Sequence, residues 1–189
     1  MGERQGVLLY GPPTSGKDTV TTALRERASR YRQFERLKFG PGRTTGYRMG
    51  GGCQLAALEA SGDVIYMNSR YASVYVVDRP GLDEAFAGGV PVVHLGQVEG
   101  LKALLDGYPA NWVSVLLWCS RETTAVRSQG RGDDDTAQRL AAWDATRQDL
   151  EAHPNWAWDL RINTEDQDAG ASARLIDQLL AQRAGAPQA

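Results

Sequence analysis

Apolar runs of strand length alternate with helix-forming stretches along this chain of 189 residues, which predicts an α/β fold, a three-layer sandwich with a central parallel sheet. Three runs carry the reading: residues 7–10 (VLLY), 90–95 (VPVVHL) and 112–119 (WVSVLLWC) are almost continuously apolar and too short for independent helices. Strands that alternate so little between apolar and polar residues are those buried between two helical layers. A glycine-rich turn follows the first run at once, at the carboxyl end of the strand, where ligands of such sheets gather.

Each remaining element falls into that order. Residues 18–29, 82–87, 98–105, 135–150 and 171–182 have helical composition, the last two most strongly, and 158–163 (WDLRIN) reads as a further strand. With 42% hydrophobic residues the chain can bury one substantial core, so residues 1–189 are expected to form a single domain. No internal repeat is present, and the tail at 183–189 (RAGAPQA) is expected to fray. A formal net charge of −2, from 21 basic and 23 acidic residues, gives no general attraction to nucleic acid or to an anionic membrane. Cys53 and Cys119 stand far apart with no metal-ligand spacing and read as free thiols. No stretch is apolar for long enough to be a signal or a membrane span, so a cytoplasmic location is expected. The oligomeric state is undecided by sequence, and a homodimer is compatible with it.

The turn itself reads Gly11-Pro12-Pro13-Thr14-Ser15-Gly16-Lys17-Asp18-Thr19. Strand, glycine-rich turn and helix in that order aim successive backbone N–H groups and a helix N-terminus at one point, which suits the oxygens of a polyphosphate. The spacing G-x-x-x-x-G-K is that of the phosphate-binding loop of P-loop NTPases, with Lys17 placed to reach the β and γ phosphates of ATP and to follow charge onto the leaving group. Asp18 stands where a serine or threonine hydroxyl normally meets magnesium, and Thr19 comes one place later. Magnesium is left with Asp18, the Thr19 hydroxyl or a water held by either. Lys-x-Thr resembles the adenylate kinase form of the loop, and an Asp after the lysine resembles that of the ribose 1,5-bisphosphate phosphokinases.

Two other segments have the chemistry that such a donor site needs. Residues 40–52 (GPGRTTGYRMGGG) break the periodicity with six glycines, and residues 62–78 add Tyr66, Tyr71 and Tyr75 among polar neighbours. Residues 40–78 are therefore expected to form an acceptor-binding insertion, in which Arg43 and Arg48, with the Tyr47 hydroxyl, clamp a phosphate. Residues 127–139 (RSQGRGDDDTAQR) read as a lid whose Arg127, Arg131 and Arg139 close over the transferring group, stabilise its charge and expel water. The bland alternative is a solvated helix start, with Arg139 pairing with Asp135 one turn away. Asp78 is either a carboxylate beside the acceptor or a helix cap. His94 and His153 read as hydrogen-bonded structural residues, and the five tryptophans as packing.

On these segments the chain resembles the guanylate kinase family over most of its length. GVLLYGPPTSGKD is similar to its first strand and loop, SGDVIY to its G-E-F-L-E step, and DRPGLDEAFAGGVPVVHL to the helix and strand that follow. RSQGRGDDDTAQRLAAWD resembles its arginine lid, and DLRIN, ending in Asn163, its strand leading to the adenine-side loop. A gapless register over 62–100 places Tyr75 at the family's tyrosine ligand of the acceptor phosphate, with Tyr71-Ala72-Ser73 a competing match. It also places Tyr66 at the guanine-reading glutamate and Gln97 at an acceptor-side aspartate. A phenol and an amide there remove the carboxylate that matches guanine N1 and its 2-amino group, so guanine specificity is not implied. With Asp18, these departures bring the chain nearer the ribose bisphosphate phosphokinases. The resemblance implies ATP- and magnesium-dependent phosphorylation of a small acceptor that already carries a phosphate or phosphonate: a nucleoside monophosphate, a sugar phosphate or a phosphonate. Guanylate-kinase-like domains also serve as non-catalytic binding modules, but those tend to lose the lysine and lid arginines that stand here as Lys17, Arg131 and Arg139.

Overall fold

Burial on both faces of its first strand organises the molecule. The computed structural model describes residues 4–42, 44–70, 72–130 and 135–184. In β1 (Gln5–Tyr10), Val7 and Leu9 face one side, Leu8 and Tyr10 the other, and all four are fully buried. Alternate side chains of a strand point to opposite faces, so this is the pattern of a sheet covered twice. Val7 and Leu9 pack with Val20 and Leu24 of α1 (Lys17–Arg27) and with Ile176 and Leu180 of α7 (Ala169–Ala184). Leu8 and Tyr10 pack with Leu82 of α3 (Arg79–Gly88), with Leu101 and Leu104 of α4 (Val98–Gly107), and with the half-buried Leu150 of α6 (Thr136–Ala152).

The central sheet is parallel, as the sequence predicts. Its strands lie in the order β2 (Tyr31–Gln33), β7 (Val90–Leu95), β1, β8 (Asn111–Trp118) and β9 (Leu160–Asn163). Between β7 and β8 the chain crosses over β1, so the strand order reverses there and a crevice opens at the carboxyl ends. The glycine-rich turn sits in that crevice. The tryptophans pack as expected: Trp118 lies 5.1 Å from Trp143 and Trp158 lies 5.0 Å from Tyr10, ring centre to ring centre. Cys53 and Cys119 are free. Among the described residues no helix is long and apolar enough to cross a membrane.

The segment read as a glycine-rich insertion is more ordered than its sequence suggests, and it begins earlier. A second sheet runs β4 (Tyr47–Met49), β3 (Arg36–Phe39), β6 (Ser73–Asp78), β5 (Val64–Arg70), with β3 and β4 parallel and the other pairs antiparallel. The short helix α2 (Gln54–Ser61) covers it, and Leu37, Leu58 and Val76 form its own small core. One further helix, α5 (Arg121–Gly130), also goes beyond the sequence reading. At the start of α3 the Asp78 carboxylate accepts a hydrogen bond of 2.9 Å from the Gly81 N–H, so that helix begins before residue 82. Arg48 of β4 pairs with the same carboxylate and donates from Nε to the Glu35 carbonyl at 2.8 Å. Gly81 makes this contact possible, because a Cβ there would fall 2.2 Å from the guanidinium.

Truncating one residue from each helical layer tests the double covering of β1. Ile176→Ala and Leu101→Ala are each expected to lower unfolding free energy by about 2–5 kcal/mol in urea titration. A loss well under about 1 kcal/mol for either would mean that its face of the sheet is not packed.

Candidate functional site

The turn between β1 and α1 is shaped by what its backbone must avoid. Gly11, at φ +157°, lies so close to β8 that a Cβ would sit 2.1 Å from the Leu117 carbonyl oxygen. Thr14 holds the left-handed conformation at φ 58°, unusual for a β-branched residue and a form of strain that collects at functional loops. Gly16 is the N-cap of α1 and offers no side chain to the helix's first N–H groups, which are therefore left for an anion. Lys17 curls back over the loop: Nζ donates to the Gly11 and Pro12 carbonyls, 2.7 Å each, and reaches Ser15 Oγ at 3.4 Å. Burial of this ammonium pulls its pKa down to about 8, with the neighbouring Asp18 carboxylate opposing the shift.

Three clefts open around the loop. The first, about 180 Å³, lies between the loop and the second sheet, where Tyr66, Asn68 and Arg70 of β5, Tyr75 of β6, Arg36 of β3 and Gln97 meet. A second, about 210 Å³, lies over Lys17 and is lined by Asp18, Arg36, Tyr47, His94 and Arg139. On the far side of the loop a third, about 250 Å³, is bounded by Thr14, Gly16, Thr19, Arg127, Thr164 and Gln167. Thr14 Oγ1 and Gln167 Nε2 are both buried in its wall without a hydrogen-bond partner, which leaves an acceptor and a donor for a ligand to satisfy.

His94 stands between the first two clefts at the end of β7. Thr21 Oγ1 gives its one hydrogen to the Lys17 carbonyl at 2.8 Å, so it must accept from His94 Nε2, also at 2.8 Å. Nδ1 then faces Asp18 Oδ1 at 3.5 Å. Burial first, and the Lys17 charge second, depress the imidazole to about 4, so it is neutral near pH 7. The structural reading of His94 is thus half the description: it is held in a hydrogen bond, and it also lines the site.

The residues singled out from sequence divide by position. Gly11, Pro13, Lys17, Tyr47, Tyr66, Tyr75 and Gln97 meet in the first cleft, where Tyr66 donates its phenol hydrogen to Gln97 Oε1 at 2.5 Å. Burial pushes the Tyr66 phenol up to about 12. Asp18 lines the second cleft and Thr19 the third, so the two candidate magnesium ligands face different spaces. Pro12 and Ser15 are buried beneath the lysine. Arg127 bridges the loop to the β9 end, donating to the Thr14 carbonyl at 3.1 Å, Thr164 Oγ1 at 3.0 Å and the Thr164 carbonyl at 2.8 Å. Arg139 lines the second cleft and pairs with Asp135 at 2.7 Å, one turn away. Asn163 donates to Asp166 at 2.6 Å and borders a separate shallow depression beside α7. Arg48 and Asp78, paired with each other, line none of the three clefts; of the two roles considered for Asp78, the helix cap is the one its geometry realises. Arg43, Tyr71 and Arg131 lie outside the described residues.

Sequence reasoning passed over Arg36, Asn68, Arg70 and Gln167. Arg36 stands on the four-residue β3 and Asn68 and Arg70 on the polar carboxyl half of β5, stretches that look like a solvated loop, and Gln167 follows a strand in a run of polar residues. Among the described residues no three His, Cys, Asp or Glu side chains group into a metal site of their own.

No family model matches this sequence, nor does any curated protein. Solved structures do match in three dimensions. Guanylate kinase from Anaplasma phagocytophilum superposes with a TM-score of 0.65 over 98% of this chain and 88% of its own, at 18% identity. The fold is a P-loop kinase fold. A gluconokinase from Sinorhizobium meliloti 1021 shares it less closely, with a TM-score of 0.55 over 97% of this chain and 95% of its own, at 17% identity. In this fold the glycine-rich turn occupies the crevice at the end of β1, and the second sheet, α5 and α6 contribute side chains to the clefts around it.

The depressed lysine gives a pH signature. A polyanion binds best to the protonated ammonium, whose charge in the free protein is lost as pH rises through about 8. Calorimetric affinity for a non-hydrolysable ATP analogue is therefore expected to be level up to about pH 7, to weaken as pH rises through 8, and to fall by close to tenfold per pH unit above that for one linked proton. A profile that stays level to pH 9.5 would contradict burial of the charge.

Proposed function

We propose that this protein is an ATP-dependent phosphotransferase that phosphorylates a small, already anionic acceptor. One observation carries the reading: the loop that bears Lys17 separates two differently built spaces, a cationic cleft against the second sheet on the Lys17 side and, beyond the loop, a cleft where Thr14 Oγ1 and Gln167 Nε2 are without partners. That division suits an acceptor on one side and a nucleoside on the other, with phosphates passing over the loop. Two solved structures with this fold, a guanylate kinase and a gluconokinase, are kinases, which supports the same reading.

In this reading the N–H groups at the start of α1 and the Lys17 ammonium hold the β and γ phosphates. Thr14 Oγ1 and Gln167 Nε2 meet the nucleoside in the third cleft. Asp18, on the phosphate side of the loop, is better placed than Thr19 to hold magnesium, directly or through water. A magnesium ion held by Asp18 would supply positive charge to offset what develops on the phosphates during transfer. Lys17 follows the transferring group, and Arg139 screens the approach of two anions. Arg36 and Arg70 orient the acceptor from the second sheet, with Tyr47 and Tyr75 beside them. Arg43 and Tyr71 enter from sequence alone, whereas Arg48 acts through the Asp78 pair that seats the second sheet.

Acceptor-dependent ADP release, with the phosphorylated product identified by phosphorus NMR, tests the reading. Lys17→Ala is expected to lower it by about 100-fold or more, the scale of losing one preorganised cation or donor at the reacting group. Unchanged turnover in Lys17→Ala, or inorganic phosphate as the only product with every acceptor, would overturn it.

A further inference from the structure

We propose, building on the phosphotransferase reading, that the first cleft selects a compact, non-aromatic anion bearing hydroxyl groups and disfavours a nucleobase. Charge comes first. Lys17, Arg36 and Arg70 line this cleft, and among the described residues no carboxylate does. The ligand is therefore an anion, and nothing there accepts the paired N–H groups of a guanine edge with full negative charge.

The aromatic rings are already used. Tyr47 and Tyr75 lean on each other with centroids 5.3 Å apart at 52°. The Arg36 guanidinium sits 5.1 Å over Tyr75 and 6.0 Å over Tyr47, while Lys38 Nζ lies 5.8 and 5.7 Å from the same two rings. Cations over aromatic faces are favourable partners, and a base must displace them to stack. Tyr66 is packed in the core, only 8% exposed, with its hydroxyl committed to Gln97.

What the cleft offers in place of stacking is a hydrogen-bond pattern. Asn68 Oδ1 is buried without a partner and lines the cleft. A buried amide oxygen left unpaired is costly, so a bound molecule that brings an O–H to it gains selectively. Gln97 has its amide oxygen occupied by Tyr66 and keeps its N–H groups to donate. Cations for a phosphate or carboxylate, an acceptor for a hydroxyl hydrogen and a donor for a hydroxyl oxygen together describe an acidic polyol. Size agrees: about 180 Å³ falls below the ~300–1,000 Å³ of clefts that enclose drug-sized ligands.

Calorimetry on the full chain without nucleotide tests this, with ribose 5-phosphate, 6-phosphogluconate, GMP and inorganic phosphate as probes. At least one of the two hydroxylated anions is expected to bind tenfold or more tightly than both GMP and inorganic phosphate. Asn68→Leu should erase that margin while leaving inorganic phosphate unchanged, and Arg36→Ala should weaken every probe. Should Asn68→Leu fail to fold by circular dichroism, Asn68→Ala replaces it and should erase the margin in the same way, again with inorganic phosphate unchanged. GMP binding more tightly than either polyol anion, a failure of both to bind, or a margin untouched by the Asn68 substitution overturns the inference. Because no nucleotide is present, a GMP preference removes this inference and leaves phosphotransfer standing, whereas absence of acceptor-dependent ADP release removes the phosphotransferase reading alone.

Discussion

The contact on which the rest depends is between the Gly11 backbone and the Leu117 carbonyl, where no side chain fits. β1 is hydrogen-bonded to β7 on one side and β8 on the other, so the strand cannot shift away to relieve crowding. The chain must leave the sheet at once and coil into the loop that Lys17 then closes through two carbonyls. The helices and side chains next to the loop take their position from that turn. α1 starts at its end and packs on α7, and Arg127 holds the loop to the β9 end through Thr14 and Thr164. Three parts of the sheet thus converge on one turn, which explains how the left-handed Thr14 is held in place.

Legibility of this fold in the sequence follows burial. β1, β7 and β8 are covered on both faces, so their apolar runs are unbroken and their positions can be read almost to the residue. The second sheet packs α2 on one side and meets α3 and α4 through Tyr66 and Val77, and its strands, three to seven residues long, mix charged and polar side chains with apolar ones. Arg36-Leu37-Lys38-Phe39 looks like loop, yet Leu37 and Lys38 are both 2% exposed. No local rule anticipates a lysine whose Nζ is fixed on the Pro41 carbonyl at 2.6 Å. The same holds for the site. The loop is legible because its function lies in backbone spacing. Arg36, Asn68 and Arg70 become site residues only when an antiparallel pairing brings β5 and β3 onto the two sides of β6.

His94 shows how a residue can be structural and well placed for function at once. Its ring is oriented through Thr21, itself bonded to the Lys17 carbonyl, so imidazole, hydroxyl and P-loop helix form one chain of hydrogen bonds. Kept neutral by burial and by the lysine, it adds no charge to a region already rich in cations. Gathering positive groups around a small space raises the potential there and favours an anion.

The Arg48–Asp78 pair has a wider meaning for how the cleft is built. It fastens the second sheet to the first turn of α3, a point outside every cleft, and Gly81 keeps room for it. The sheet that walls the first cleft is therefore hung from a joint that touches no ligand. The side chains of β5 and β6 that line the cleft, Asn68 and Tyr75 among them, take no part in that joint, so the breadth of the cleft and the chemistry of its wall are set by different residues.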